Sequence, residues 1–221
     1  MKRFATVLGC VSAVALSSTA MAGFVVEDFA GYHNQANTMY GAWDTFSQAN
    51  NAPNFADNGG NMGFNGQVFN FSGTAFITSS GNIYDPASAL NIHNYLTLEN
   101  VDITNAQVNV ATMGVLPDLG NVIFQAVTSA GDTTNLDTST YSENFLNEIP
   151  GFGATANLSW SFDLSDIAGD VTSIAFIVSA TGSNMSLDAL SLDVAYATVP
   201  APGALALLGL AGIAGRRRRR G

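Results

Sequence analysis

Through the middle of the chain, hydrophobic and polar positions alternate with a period of two. Leu158, Trp160, Phe162 and Leu164 interleave with Ser159, Ser161 and Asp163, and Ala106, Val108 and Val110 interleave with Gln107 and Asn109. Successive side chains of a strand point to opposite faces, so the pattern predicts strands with one buried and one wet face. Strands are predicted as well over 67–71, 75–78, 95–98, 121–128, 173–179 and 186–196, with Gly, Asn, Asp and Ser between them. Short strands at this spacing predict an all-β fold, an antiparallel β-sandwich. Only 141–149 and 164–168 read as short helical turns, and the Asn- and Gly-rich stretch 48–66 reads as a long surface loop.

The alternation stops at both ends. Residues 4–16 are mostly apolar and small, follow Lys2 and Arg3, and lead to Ala20-Met21-Ala22. A basic start, a short apolar stretch and an A-x-A site predict a signal peptide over 1–22, cleaved so that Gly23 becomes the first residue. Val7-Leu8-Gly9-Cys10 loosely resembles a lipoprotein box, but too few apolar residues precede Cys10 for a full apolar region. At the other end Pro200 and Pro202 precede an Ala/Leu/Gly run, and Arg216 to Arg220 follow it. Basic side chains beside an apolar segment hold it on the cytoplasmic side, which puts the body across the membrane. The run is short. A helix from Gly203 to Gly215 would reach about 20 Å, against about 30 Å of hydrocarbon, so it is a marginal anchor.

A proline pair, a short apolar helix and a terminal arginine cluster together resemble the PEP-CTERM sorting signal. The resemblance rests on Pro200, Ala201, Pro202, Gly203, Arg216, Arg217, Arg218, Arg219 and Arg220. It implies an exported substrate of an exosortase-type membrane processing enzyme in a bacterium with an outer membrane. The precursor would be held briefly in the inner membrane, then released to the cell surface or the extracellular space. Ala201 stands where the family has Glu, which bears on which sorting enzyme reads the signal. An ordinary single-pass anchor with a basic flank is the alternative. The chain thus divides into a signal peptide (1–22), a β-sandwich (23–197) and a C-terminal sorting signal (198–221).

Charge sharpens this division. All seven basic residues lie in the two ends, and the body holds all 17 carboxylates with no lysine or arginine. Its formal charge is −17, against −10 for the whole chain. A surface of that sign repels nucleic acid, whose recognition needs cationic side chains against phosphate. The single cysteine, Cys10, lies in the signal peptide, so the body has no disulfide, thiol nucleophile or thiolate ligand.

Candidate chemistry in the body is sparse. The segments Phe24 to Phe29 and Ser186 to Leu192 resemble the first and last strands of jelly rolls of the carbohydrate-binding-module kind. That resemblance implies a calcium ion shared by Glu27, Asp28 and Asp188, a donor set of hard oxygens. Two other oxygen-rich stretches, Asp163 to Asp170 and Asp57 to Asn61, lack EF-hand spacing and read as loop acids. No G-x-S-x-G elbow accompanies the two histidines, His33 and His93, and no catalytic residue is assigned. His93 reads as part of the polar face of a strand. Trp160 alternates in phase with Phe162 and reads as core, whereas Trp43, near Tyr40 in a polar segment, reads as the better surface candidate. The expectation is a non-enzymatic exported protein of the cell surface or extracellular matrix, structural or adhesive, associated with extracellular polysaccharide. A carbohydrate-binding module is the alternative, and a secreted hydrolase the third.

Overall fold

The computed structural model describes residues 35–59 and 63–199. The signal-peptide and sorting residues, together with Glu27, Asp28 and His33, lie outside them. Among the described residues no helix is long and apolar enough to cross a membrane.

Numbered in chain order, the strands form two antiparallel sheets. The larger runs β11 (Ser142–Ile149), β12 (Gly153–Asp163), β8 (Val101–Gly114), β14 (Met185–Thr198), β1 (Thr38–Trp43) and β3 (Asn58–Gly59). A hairpin of β5 (Phe76–Ile77) and β6 (Ile83–Asp85) joins it through β14. The smaller runs β10 (Thr133–Leu136), β9 (Ile123–Thr128), β13 (Val171–Ser179), β7 (Asn91–Thr97), β4 (Gln67–Asn70) and β2 (Asn54–Phe55). Neighbouring strands cross between sheets together. β7 lies beside β13 in one sheet and their successors, β8 and β14, lie side by side in the other. Likewise β8 beside β12 becomes β9 beside β13. Paired segments wound in this way make the sandwich jelly-roll-like; alternation and punctuation predict the antiparallel sandwich, and the resemblance of the first and last segments implies the jelly roll.

The inward positions of both sheets meet in one apolar layer. Trp43 and Trp160 are 0% exposed, Phe124 stacks on Phe162 at 3.7 Å between ring centres, and Trp160 leans on Phe176 at 5.2 Å. Each large apolar side chain buried this way contributes about 1.5–3 kcal/mol, which makes this layer the main source of stability. Both indoles find acceptors, Trp43 Nε1 donating to the Asn54 carbonyl (3.0 Å) and Trp160 Nε1 to that of Thr138 (3.2 Å). Trp160 is core as expected. Trp43 is core too, against the surface reading, because β1 places it inward beneath Phe64.

Two further expectations are corrected. Residues 141–149 form no helical turn but a strand, β11, paired with β12 along its length. All eight of its residues are exposed, so backbone pairing with a neighbouring edge decides its conformation, not burial of a face. The described residues of the stretch 48–66 are no free loop either. They contain β2 and β3, and buried Asn54 binds the segment: its Oδ1 accepts from the Ser47 and Gln48 amides, and its Nδ2 donates to Gln48 O. Asn50 and Asn70 work likewise, Asn70 Nδ2 reaching Ala49 O and Asn50 Oδ1 accepting from the Gly73 and Ala75 amides. The stretch 164–168 is a single turn closed by Ile167 N–H to Leu164 O.

Asp85 shows how this body buries a carboxylate without a cation. It accepts from Thr74 Oγ1 (2.8 Å) and from the backbone amides of Ala87 (2.9 Å) and Ser88 (2.8 Å). Burial alone would raise its pKa, but hydrogen bonds from Ser72, Ser88, Ala87 and Thr74 outweigh it and hold the group below the usual carboxylate value. A depressed pKa contributes stability that is present above the unfolded value and lost as pH falls through the folded one. Asp85→Ala orphans these donors and is expected to cost about 2–4 kcal/mol in urea denaturation at pH 7. A cost below that of an average surface substitution would refute the role.

Candidate functional site

The six-stranded sheet turns an uncharged face to solvent. None of β2, β4, β7, β9, β10 and β13 contains an Asp, Glu, Lys or Arg, although the body carries 17 acids. Alternation along β4 and β7 places Val68, Asn70, Ile92, Asn94 and Leu96 inward. Phe69, His93 and Tyr95 therefore point outward, and Phe71 follows in the same phase. Pairing sets Phe69 beside His93 and Gln67 beside Tyr95, and continues the rows to Ile177 and Ala175 on β13. Phe55, 63% exposed, flanks Gln67 on the outermost strand.

The rings form one connected group. Phe69 and Phe71 lie nearly parallel with centres 5.7 Å apart, and His93 meets Phe71 edge-on at 4.7 Å. Tyr95 sits edge-on to Phe69 at 5.9 Å. Offset and edge-to-face contacts of this kind hold rings in fixed orientations and add modestly to burial. Hydrogen bonds fix the other degree of freedom. His93 Nδ1 lies 2.7 Å from the Tyr95 hydroxyl and Nε2 lies 3.0 Å from Asn91 Oδ1. Asn91 Oδ1 only accepts, so Nε2 carries the proton and Nδ1 accepts from Tyr95. Burial lowers the His93 pKa below its ordinary 6.5 and raises that of Tyr95, which keeps both neutral near pH 7. A cleft of about 140 Å3 beside Tyr95 adds the amides of Asn65 and Gln67 and the Thr97 hydroxyl. The result is a neutral aromatic platform edged by amides and hydroxyls.

Sequence reasoning placed His93 on a strand's polar face, and there it lies. It missed Phe69, Phe71 and Tyr95 as its companions, because period-two alternation shows which residues share a face but not which strands are neighbours. Half-buried Tyr40 lies on β1, in the other sheet.

Asp188 belongs to a different place. β14 pairs with β6 over Met185–Leu187 and with β1 over Leu190–Ala195, and Asp188 occupies the bulge where one neighbour gives way to the other. Its Oδ1 accepts from Asn82 Nδ2 at 2.7 Å. Burial raises its pKa, the Asn82 bond opposes this, and the negative Asp44 adds to the rise. Asp57, just before β3, ties back to the end of β1 by accepting from the Asp44 and Thr45 amides, and burial together with Asp44 raises its pKa too. Among the described residues no three acidic or imidazole side chains converge to hold a metal. Glu27 and Asp28, the other members of the expected calcium set, are not among them.

No family model and no curated protein matches this chain. Among solved structures it is similar to a carbohydrate-binding module described for specific mannan recognition. The identity is 12%, covering 72% of this chain and 88% of that one, with a TM-score of 0.29. A likeness of that degree concerns strand arrangement alone.

Two measurements check the electrostatics. Folding favours neutral His93, so its contribution is complete above pH 6.5 and is lost as pH falls toward the lower folded value. The melting temperature of the native protein is therefore expected to drop between pH 6.5 and 5 more steeply than that of His93→Phe, and equal slopes would exclude this. For Asp188 the sign reverses: a raised pKa disfavours folding wherever the group is ionised. Asp188→Asn keeps the acceptor for Asn82 and is expected to raise Tm by about 1–3 °C at pH 7, a gain that vanishes near pH 3. A fall in Tm seen only with calcium present would instead show Asp188 to be a ligand.

Proposed function

We propose that the chain is an exported, non-catalytic recognition module whose six-stranded sheet binds neutral extracellular polysaccharide. One observation carries this reading: the uncharged aromatic face of Phe69, Phe71, His93 and Tyr95 on a body of formal charge −17. Exposed apolar groups gathered into one patch mark interaction surfaces. A sugar ring offers apolar C–H faces to the rings and hydroxyls to Gln67, Asn91 and Thr97. An anionic glycan would be repelled by the surrounding carboxylates, and a cationic partner finds no carboxylate on this face.

The ends of the chain supply delivery. The signal peptide would carry the body across the inner membrane, and the sorting signal would hold it there until an exosortase-type enzyme cuts near Pro200. The position of the last strand supports such handling. β14 is paired through Thr198, and Val199 N–H still bonds Asn100 O, so the proline pair begins immediately beyond the sheet. Surface or matrix attachment through polysaccharide follows, with Asp188 and calcium as an independent proposal tested by the substitution above.

In affinity electrophoresis through neutral polysaccharide gels, Tyr95→Ala and Phe71→Ala are each expected to weaken retardation about tenfold, while Phe145→Ala on the opposite sheet leaves it unchanged. Equal retardation of all variants would remove the face from consideration. Mass spectrometry of the secreted protein should find an N-terminus near Gly23 and a C-terminus near Pro200. A product that keeps Arg216 to Arg220 would rule out processing.

A further inference from the structure

A second cavity lies on the opposite sheet, beside the turn that joins β11 to β12. Its volume is about 540 Å3, and Tyr84, Met113, Val115, Phe152, Asn184 and Ser186 line it together with glycines. Sites for small molecules span about 300–1,000 Å3. Pairing explains the shared direction of three of these side chains. Ser186 stands between Met113 on β8 and Tyr84 on β6, and all three point away from the core.

The walls are held in place before any ligand arrives. The Tyr84 ring meets Phe76 edge-on at 5.5 Å and its hydroxyl donates to Asn184 Oδ1 at 2.8 Å. Asn184 has a φ of 72°, in the left-handed region that Asn tolerates. Its backbone N–H donates to Asp85 O at 2.7 Å, and its carbonyl accepts from Val115 N at 3.1 Å. Gly114 and Gly153 have φ of 89° and 103°. A Cβ at Gly114 would overlap the Asn184 carbonyl oxygen, and one at Gly153 the Gly114 carbonyl oxygen. The backbones therefore approach closely, and peptide groups make up part of the wall. Phe152, between Gly151 and Gly153, is 82% exposed beside this rigid frame.

The lining contains no Asp, Glu, Lys or Arg. A cation finds no carboxylate in it, and an anion must approach through a body of formal charge −17. A wholly apolar ligand would strip water from Ser186 and Asn184 without replacing it, at a cost of about 1–3 kcal/mol per group. A ring that is apolar on its faces and hydroxylated at its rim satisfies both kinds of wall. We propose that this cavity is a second carbohydrate site, taking one or two residues at the end of a neutral glycan. It does not depend on the aromatic face of the other sheet. With both sites active, one molecule would join two glycan chains from opposite sides.

The test is amide NMR of the secreted protein titrated separately with hexasaccharides of β-1,4-glucan, β-1,4-mannan and α-1,4-glucan. At least one is expected to move the signals of Gly114, Gly153 and Asn184. Phe152→Ala should weaken that binding about tenfold without lowering Tm, since the ring is exposed, and without altering shifts at Tyr95. Tyr95→Ala should do the reverse, so failure of either site is seen separately. The proposal is overturned if the cavity signals stay still with all three sugars, respond equally in Phe152→Ala, or move only with n-hexanol.

Discussion

The body of this protein has to fold without a lysine or arginine, and its architecture follows from that constraint. With no lysine or arginine among the described residues, buried Asp85 is met by hydrogen-bond donors instead of an ion pair. Loops cannot be tied by ion pairs or disulfides, and asparagine amides do that work at Asn50, Asn54 and Asn70. The apolar layer between the sheets then supplies the cohesion that must exceed the mutual repulsion of the acids. Salt weakens that repulsion at the surface but leaves the layer untouched.

The same constraint sorts the two sheets. Acids on strands occur only in the larger sheet, on β6, β8, β11, β12 and β14, and the smaller one has none. Neutral surface is thereby gathered in one place instead of being scattered. An aromatic platform on a charged face would compete with bound ions and ordered water. Here the rings are edged by amides and hydroxyls whose hydrogen-bonding capacity is fixed in direction by His93, Tyr95 and Asn91.

Alternation made the two-sheet architecture legible, because Leu158, Trp160 and Phe162 could face only one side. It failed where burial does not decide. The apolar residues Tyr141, Phe145, Leu146 and Ile149 have helix-like spacing, yet Tyr141 precedes and the other three lie along an exposed edge strand whose only demand is a backbone partner. Trp43 was misleading because its neighbours in sequence are polar, while its neighbours in space are Phe64 and the Asn54 carbonyl. The platform was hidden for another reason: Phe69 and His93 become adjacent only through the register of β4 against β7. Similarly, the bulge of β14 against β8 at Asp188 falls where its other neighbour changes from β6 to β1, which no local pattern records.

The strand that exchanges partners is also the last among the described residues, and it pairs with β1, β6 and β8 at once. A chain synthesised N-terminus first therefore cannot complete the larger sheet until residues 185–198 are available. By then only the proline pair, the short apolar run and the arginines remain behind. The smaller sheet and the β11–β12–β8 set contain none of β14 and can pair earlier, so the closing step is insertion of β14 between β8 on one side and β1 with β6 on the other.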